Sequence, residues 1–194
     1  MTSSITRITD TPTSRRGLLR VGGQATLSAA AIALLAGCES MATSHAAAAD
    51  AGNDVGILNT ALGLEYQAIA AYQVGAQSGL LKKPVLDLAV QFQGDHKKHA
   101  EVLASTVTKL GGSPVTAKPD YGFPVATLKT QADVLRFAAN LEQGAASAYL
   151  GAVPAFMNKD LAKAAASILG DETMHWAILR SALGENPVPA AFIA

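Results

Sequence analysis

Between residues 53 and 183 apolar residues recur every three or four positions, the spacing of one face of an α-helix. Four stretches carry this period, roughly 53–79, 84–110, 131–152 and 158–183. None shows the sustained Val, Ile and Thr alternation of a half-buried strand. The breaks carry turn chemistry. "GLLKKP" separates the first two stretches, and Pro84 suits the first turn of a helix. Pro154 and Asn158 mark the break between the last two. The intervening segment 111–130, "GGSPVTAKPDYGFPVATLKT", holds glycines and three prolines and reads as irregular chain. The pattern predicts an all-α domain over 53–185 and a short tail over 186–194.

Composition strengthens this reading. Apolar residues make up 49% of the chain and aromatics only 5%; alanine, the best helix former, is abundant. The 194 residues suffice for one domain with a real core. Net charge is zero, but unevenly distributed. Downstream of Cys38 there are eleven basic and fourteen acidic residues, a net of −3. That leaves no basic footprint for nucleic acid.

The two halves repeat. "LEYQAIAAY" (64–72) answers "LEQGAASAY" (141–149), within a frame of Leu58, Glu65 and Tyr72 against Leu135, Glu142 and Tyr149. "GDHKKHAEVLAS" (94–105) answers "GDETMHWAILRS" (170–181), matching at five of twelve positions. This is the mark of a duplicated helical hairpin. Short turns within each half predict antiparallel pairs. The connection between halves can extend on the order of 60 Å, against roughly 40 Å for a 27-residue helix. It can cross the whole bundle, so two antiparallel hairpins joined by a long crossover are expected.

Charged residues sit on the apolar stripes. Glu65 shares a face with Leu58, Ala61, Leu62, Ala68, Ile69 and Tyr72, and Glu142 with Leu135, Ala138, Ala139, Ala145, Ala146 and Tyr149. His96 and His99 lie on the stripe of Leu88, Ala89, Phe92, Val102, Leu103 and Leu110; Glu172 and His175 lie on that of Leu161, Ala165, Ile168, Ile178 and Leu179. A carboxylate on an apolar stripe is costly unless it is paired or bound to metal. Residues three apart on a helix are neighbours and can share a ligand. Each single glutamate and its partner pair are equidistant from a turn, near residue 81 in one half and 158 in the other. All six side chains should therefore meet in one layer. Lys97 and Lys98 fall on the solvated face, and Trp176 points away from the layer as packing. Two readings stay open, a metal site and a metal-free buried Glu–His network.

These residues resemble the ferritin-like superfamily, in particular exported bacterial ferritin-like domain proteins. The family places one Glu on each of two helices and Glu-x-x-His on each of the other two. Glu65 and Glu142 match the single glutamates, and Glu172 and His175 in "DETMH" match one Glu-x-x-His. In "DHKKH" His99 matches the histidine, but His96 stands where the glutamate belongs. The resemblance implies a ferritin-like four-helix bundle that binds iron, with manganese or zinc also suited to Glu and His ligands. It implies a ferroxidase-like oxidation of Fe(II), in stress protection or metal handling. The alternative is a non-enzymatic bundle with no metal, structural or protective. In the family the paired glutamates tend to bridge two metals, so His96 removes one bridge. A dinuclear centre, with Asp95 as a substitute bridge, and a mononuclear one both remain open. Asp95 and Asp171 are expected to orient the ligand histidines. Tyr72 and Tyr149 are either ordinary core aromatics or groups with hydrogen bonds to a ligand or a redox role. Homo-oligomers are compatible with such a bundle.

The first 38 residues resemble an export address. "SRRGLLR" (14–20) looks like a twin-arginine signal, and the apolar run from Val21 to Leu35 is shorter than the roughly 20 residues a spanning helix needs. A short apolar run after a charged start reads as a signal. "LAGC" resembles a lipobox, making Cys38, the chain's single cysteine, the lipidation site; the alternative is simple cleavage further on. A lipidated Cys38 would tether the protein to a membrane, with residues 39–52 as a flexible linker. His45 in that linker has no assigned role. The expected location is periplasmic or cell-surface.

Overall fold

The computed structural model describes residues 45–193, with side chains from residue 51 onward. The expected export signal, Cys38 and the start of the linker lie outside the described residues. Four long helices follow: α1 (His45–Gln77), α2 (Lys83–Lys109), α3 (Gln131–Ala152) and α4 (Lys159–Ala182). No strand occurs among the described residues. The last three helices begin and end within a residue or so of expectation. The first does not, because residues 45–52, expected as flexible linker, form its opening turns. The sequence there is nearly all alanine, aspartate and glycine, so no apolar period announces a helix. Alanine propensity alone favours one.

Local chemistry sets the boundaries. Pro84 stands in the first turn of α2, where a missing N–H costs nothing. Thr130 caps α3 by accepting from the Asp133 N–H, while Asp133 Oδ2 accepts from the Thr130 N–H at 2.8 Å. This reciprocal arrangement satisfies donors the helix cannot. The Asn158 side chain accepts from the N–H groups of Asp160 and Leu161 to open α4. Gly111 ends α2 at φ 79°, a left-handed turn that glycine takes without strain. At Gly112 a Cβ would stand 2.6 Å from Val55 Cγ1, so only glycine lets the chain leave α2 beside α1.

Hydrogen bonds trace the topology. The start of the crossover is held beside the first half of α1: Asn59 Nδ2 donates to Ser113 O and accepts the Val115 N–H on its Oδ1. Its far end reaches the α1–α2 turn, where Gln131 Oε1 accepts the Lys82 N–H at 2.8 Å. The crossover therefore runs the length of the bundle, as its reach predicted. The α3–α4 turn lies at the opposite end, where buried Asp54 accepts the N–H groups of Met157 and Asn158 at 2.8 and 2.9 Å. α1 packs on α2 and α3, α4 packs on α3, and α2 meets α4 only sparsely.

The core lies in two blocks. One, towards the α3–α4 turn, contains Leu58, Leu62, Leu103, Val107, Phe156, Leu161 and Ile168. The other, towards the α1–α2 turn, contains Tyr72, Phe92, Leu135 and Leu179, with Trp176 packed against it. Each fully buried Leu or Phe contributes about 1.5–3 kcal/mol. Ile178 departs from expectation, being 43% exposed. At 100° per residue it lies roughly 80° from the line through Ile168, Glu172, His175 and Leu179, on the flank beside exposed Met174. Lys97 and Lys98 are exposed, as expected.

Candidate metal centre

Between the two apolar blocks lies a layer of charge. α1 supplies Glu65, α2 supplies His96 and His99, α3 supplies Glu142, and α4 supplies Glu172 and His175. All but His99 are at most 2% exposed; the His99 side chain is 16% exposed. The six converge as the spacing from the turns predicted. The i, i+3 pairs on α2 and α4 point into the layer from one side, and the single glutamates of α1 and α3 close it from the other.

His96 is at the centre. Its Nδ1 lies 2.8 Å from Glu65 Oε2 and its Nε2 lies 3.2 Å from Glu142 Oε1. The residue that broke the family pattern thus joins the two single glutamates. Glu172 Oε1 stands 3.6 Å from His96 Nδ1 and 3.3 Å from His99 Nδ1, and its Oε2 is 3.9 Å from His175 Nδ1. Glu142 Oε1 also approaches His175 Nδ1 at 3.4 Å. Asp95 does not substitute as a bridge. Its carboxylate faces the outer nitrogen of His175, at 3.8 Å from Nε2, because it precedes His96 by one residue and so points about 100° off the inward line.

The tyrosines also belong to the layer. Tyr149 of α3 donates to Glu65 Oε1 at 2.6 Å, and Tyr72 of α1 donates to Glu142 Oε1. Each tyrosine serves the other helix's glutamate. Because α1 and α3 run antiparallel, a tyrosine two turns past its own glutamate lies over the partner's flank. This explains the repeated seven-residue frame. Both tyrosines are buried in the core and hydrogen-bond to glutamates of the layer. A further contact carries no signal in the sequence: the Phe92 ring stacks on His175 at 3.9 Å between centroids. Phe92 reads as an ordinary stripe residue, and only the tertiary fold sets it against the imidazole.

The electrostatics follow from burial and pairing. Burial alone would raise Glu65, but the hydrogen bond with His96 and the nearby His99 imidazole outweigh it and bring its pKa down to about 2. Glu142 is likewise lowered despite burial, by His175 and His96. Burial disfavours charge on His96, but its bonds to Glu142 and Glu65 raise it to about 10. His99 is raised against the same penalty to about 12, by Asp171, Glu172 and Glu65. Glu172 goes the other way, because burial and the charge of Glu65 push it well up. Without a metal, the imidazolium ions of His96 and His99 offset the carboxylates of Glu65 and Glu142, and burial works against a further charge on Glu172.

That balance leaves polar atoms without partners. Glu142 Oε2, both oxygens of Glu172, and Nδ1 of His99 and His175 are buried and make no hydrogen bond. Native interiors rarely tolerate such atoms, and here they face one another. Ligand atoms from Glu65, His96, His99 and Glu172 lie within 4.8 Å of one another, as do those from His96, Glu142, Glu172 and His175. The two groups share His96 and Glu172. Carboxylate and imidazole donors in this number suit iron, manganese or zinc, so the residues fit such an ion.

Four antiparallel helices with a full-length crossover, and glutamate and histidine donors at mid-bundle, define a ferritin-like bundle. The sequence profile of the ferritin-like domain matches residues 53–185, and the chain belongs to that family. No curated protein matches it. Among solved structures it is similar to a conserved hypothetical protein, rv2844, from Mycobacterium tuberculosis (TM-score 0.64, 23% identity, covering 74% of this chain and 99% of that one). It is similar also to a ferritin-like, diiron-carboxylate protein from Bacillus anthracis (TM-score 0.61, 23% identity, 73% and 99% covered). A third is the bacterioferritin of Desulfovibrio desulfuricans, described with a diiron site (TM-score 0.63, 20% identity, 74% and 84% covered).

Proposed function

We propose that the chain is an exported ferritin-like protein that binds iron, or a similar transition ion, in the mid-bundle layer and oxidises Fe(II) in stress protection or metal handling. The observation that carries this reading is the set of five buried, partnerless donor atoms facing one another between the helices. An ion would be held by Glu65, His96, His99, Glu142, Glu172 and His175. Glu172 presents one oxygen towards each donor group. Bound iron would supply electron transfer to oxygen or peroxide. The chain's own residues position the donors and keep water out. Tyr72 and Tyr149 fix one oxygen of each single glutamate, and the two apolar blocks close the layer from both ends. The resemblance of "SRRGLLR" and "LAGC" to export and lipidation signals supports work outside the cytoplasm on a membrane tether at Cys38.

A second reading has its own support. His96 already joins Glu65 and Glu142, so protonated His96 and His99 together can neutralise them in a metal-free structural bundle. One experiment separates the two. Metal per chain is measured in protein purified from cells with intact export, followed by Fe(II) oxidation under oxygen by absorbance. The metal reading expects bound ion and oxidation well above a Glu65→Ala, Glu142→Ala variant. No bound metal and no difference from that variant would leave only the structural bundle.

A further inference from the structure

The layer is not sealed on every side. Asp95 and Asp171 hold equivalent places in the two repeats, one residue before His96 and Glu172. Their side chains are 22% and 30% exposed. With His99 they mark the α2–α4 seam, where the two helices meet only sparsely, as the place where the layer meets solvent. Asp171 Oδ2 lies 3.4 Å from His99 Nε2 and 3.6 Å from His175 Nε2, and Asp95 Oδ2 lies 3.8 Å from the same nitrogen of His175. His175 is buried, and its Nε2 aims at both carboxylates from outside hydrogen-bond distance. Its Nδ1 faces the other way, towards Glu142 and Glu172, with no hydrogen-bond partner. One ring therefore offers a nitrogen to each side of the layer's wall. Asp95, Asp171 and His175 group together, and the 3.6 and 3.8 Å from Nε2 to the two carboxylates are separations that one ion with bonds of about 2.0–2.2 Å can bridge.

We propose that Asp95, Asp171 and Nε2 of His175 form a landing site for a divalent transition cation, from which the ion passes inward to the Glu/His layer. This rests on the metal-binding reading of that layer. The two positions use opposite nitrogens of His175. While the ion is outside, the ring proton sits on Nδ1, facing Glu142. Once the ion is inside, the proton sits on Nε2, facing Asp171. The landing position and the donor group of His96, Glu142, Glu172 and His175 are therefore filled in turn, and the landing position adds no ion once that group is loaded. Lys98 pairs with Asp95 Oδ1 at 2.8 Å; its side chain is exposed and can swing aside for an arriving cation.

The test uses the full chain, Co(II) as probe, and the fluorescence of Trp176, the single tryptophan, which neighbours His175 in sequence. The variant is Asp95→Asn, Asp171→Asn. Asparagine keeps the size and can still accept from Nε2–H, but loses the charge that draws the cation. Expected is uptake slowed at least about tenfold, as for a focusing cleft, with release into excess chelator slowed in step because the ion leaves by the same route, and with cobalt per chain and the equilibrium affinity unchanged within about threefold, below the loss expected of merely orienting carboxylates. The single variants, each the smaller perturbation to folding, should each slow uptake part of the way. Unchanged uptake would overturn the proposal, as would a weakening carried wholly by faster release. A wild-type chain that binds no cobalt would bring down the metal reading together with this one.

Discussion

Replacing His96 by leucine tests the electrostatic account of the layer. Leucine is of similar size and removes both ring nitrogens. Glu65 loses its 2.8 Å partner and Glu142 its 3.2 Å partner. Breaking a buried pair by removing one member costs about 3–5 kcal/mol. The lower end applies here, because Tyr149 and His99 still approach Glu65, and Tyr72 and His175 still approach Glu142. A loss of about 3 kcal/mol at roughly 2–4 °C per kcal/mol lowers Tm by about 6–12 °C. The assay is thermal unfolding of metal-free protein at pH 6, followed by circular dichroism, with His99→Leu as control. His99 is held in its charged form more firmly than His96, but it is partly exposed, its contacts are longer, 3.3–3.5 Å, and solvent screens them, so its loss should be the smaller. The pH dependence has a definite sign. His96 rises from 6.5 to about 10 on folding, so its contribution is full below pH 6.5 and fades as pH climbs through 10. The gap between wild type and His96→Leu should narrow over that range. A fall in Tm under about 2 °C, or a gap that widens with pH, would refute the argument.

Three further outcomes follow from the same geometry. Metal uptake near pH 7 should release at least about two protons, from His96 and His99, and more for any proton that burial holds on Glu172, with affinity still rising with pH above neutrality; calorimetry in two buffers of different ionisation enthalpy counts them, and no release would contradict the raised values. Asp54→Ala strands two backbone N–H groups at the α3–α4 turn and should cost about 2–3 kcal/mol, read as a lower urea midpoint at constant slope. Tyr72→Phe and Tyr149→Phe each remove a hydrogen bond to a buried carboxylate, worth about 1.5–3 kcal/mol. Since His96 joins the two glutamates, a double-mutant cycle should show coupling above about 0.5 kcal/mol, and strict additivity would mean that the layer is not one network.

Much of this was legible in the sequence because the period and the repeat are redundant. Four helices, three of their starts, the crossover and the convergence of six side chains all follow from spacing. The misses share a cause, since each depends on contacts between helices. The sequence places Tyr72 two turns from Glu65, but only the antiparallel packing of α1 on α3 delivers its hydroxyl to Glu142. Phe92 was legible as core, not as the ring that steadies His175. Ile178 fits a permissive i, i+3 count and fails because the stripe through Ile168, Glu172 and Leu179 is narrower than the count allows. The early start of α1 is missed for the opposite reason: an alanine-rich segment carries helix propensity but no face.

His96 shows where reading by family pattern reaches its limit. By motif it is a lost carboxylate, one bridge fewer and one negative charge fewer. In the fold it remains a bridging residue, with one nitrogen on each single glutamate, so the substitution changes the sign of the bridge and keeps its position. A glutamate there would repel Glu65 and Glu142 and need cations to hold the layer together. The imidazolium attracts both, so the layer can stay closed without metal. An arriving ion must therefore replace protons on His96 and His99 as well as find its ligands. Glu172, the one remaining paired glutamate, is then the only carboxylate with an oxygen turned towards each donor group. The asymmetry of the repeat thus couples metal occupancy to proton loss more tightly than four glutamates and two histidines would.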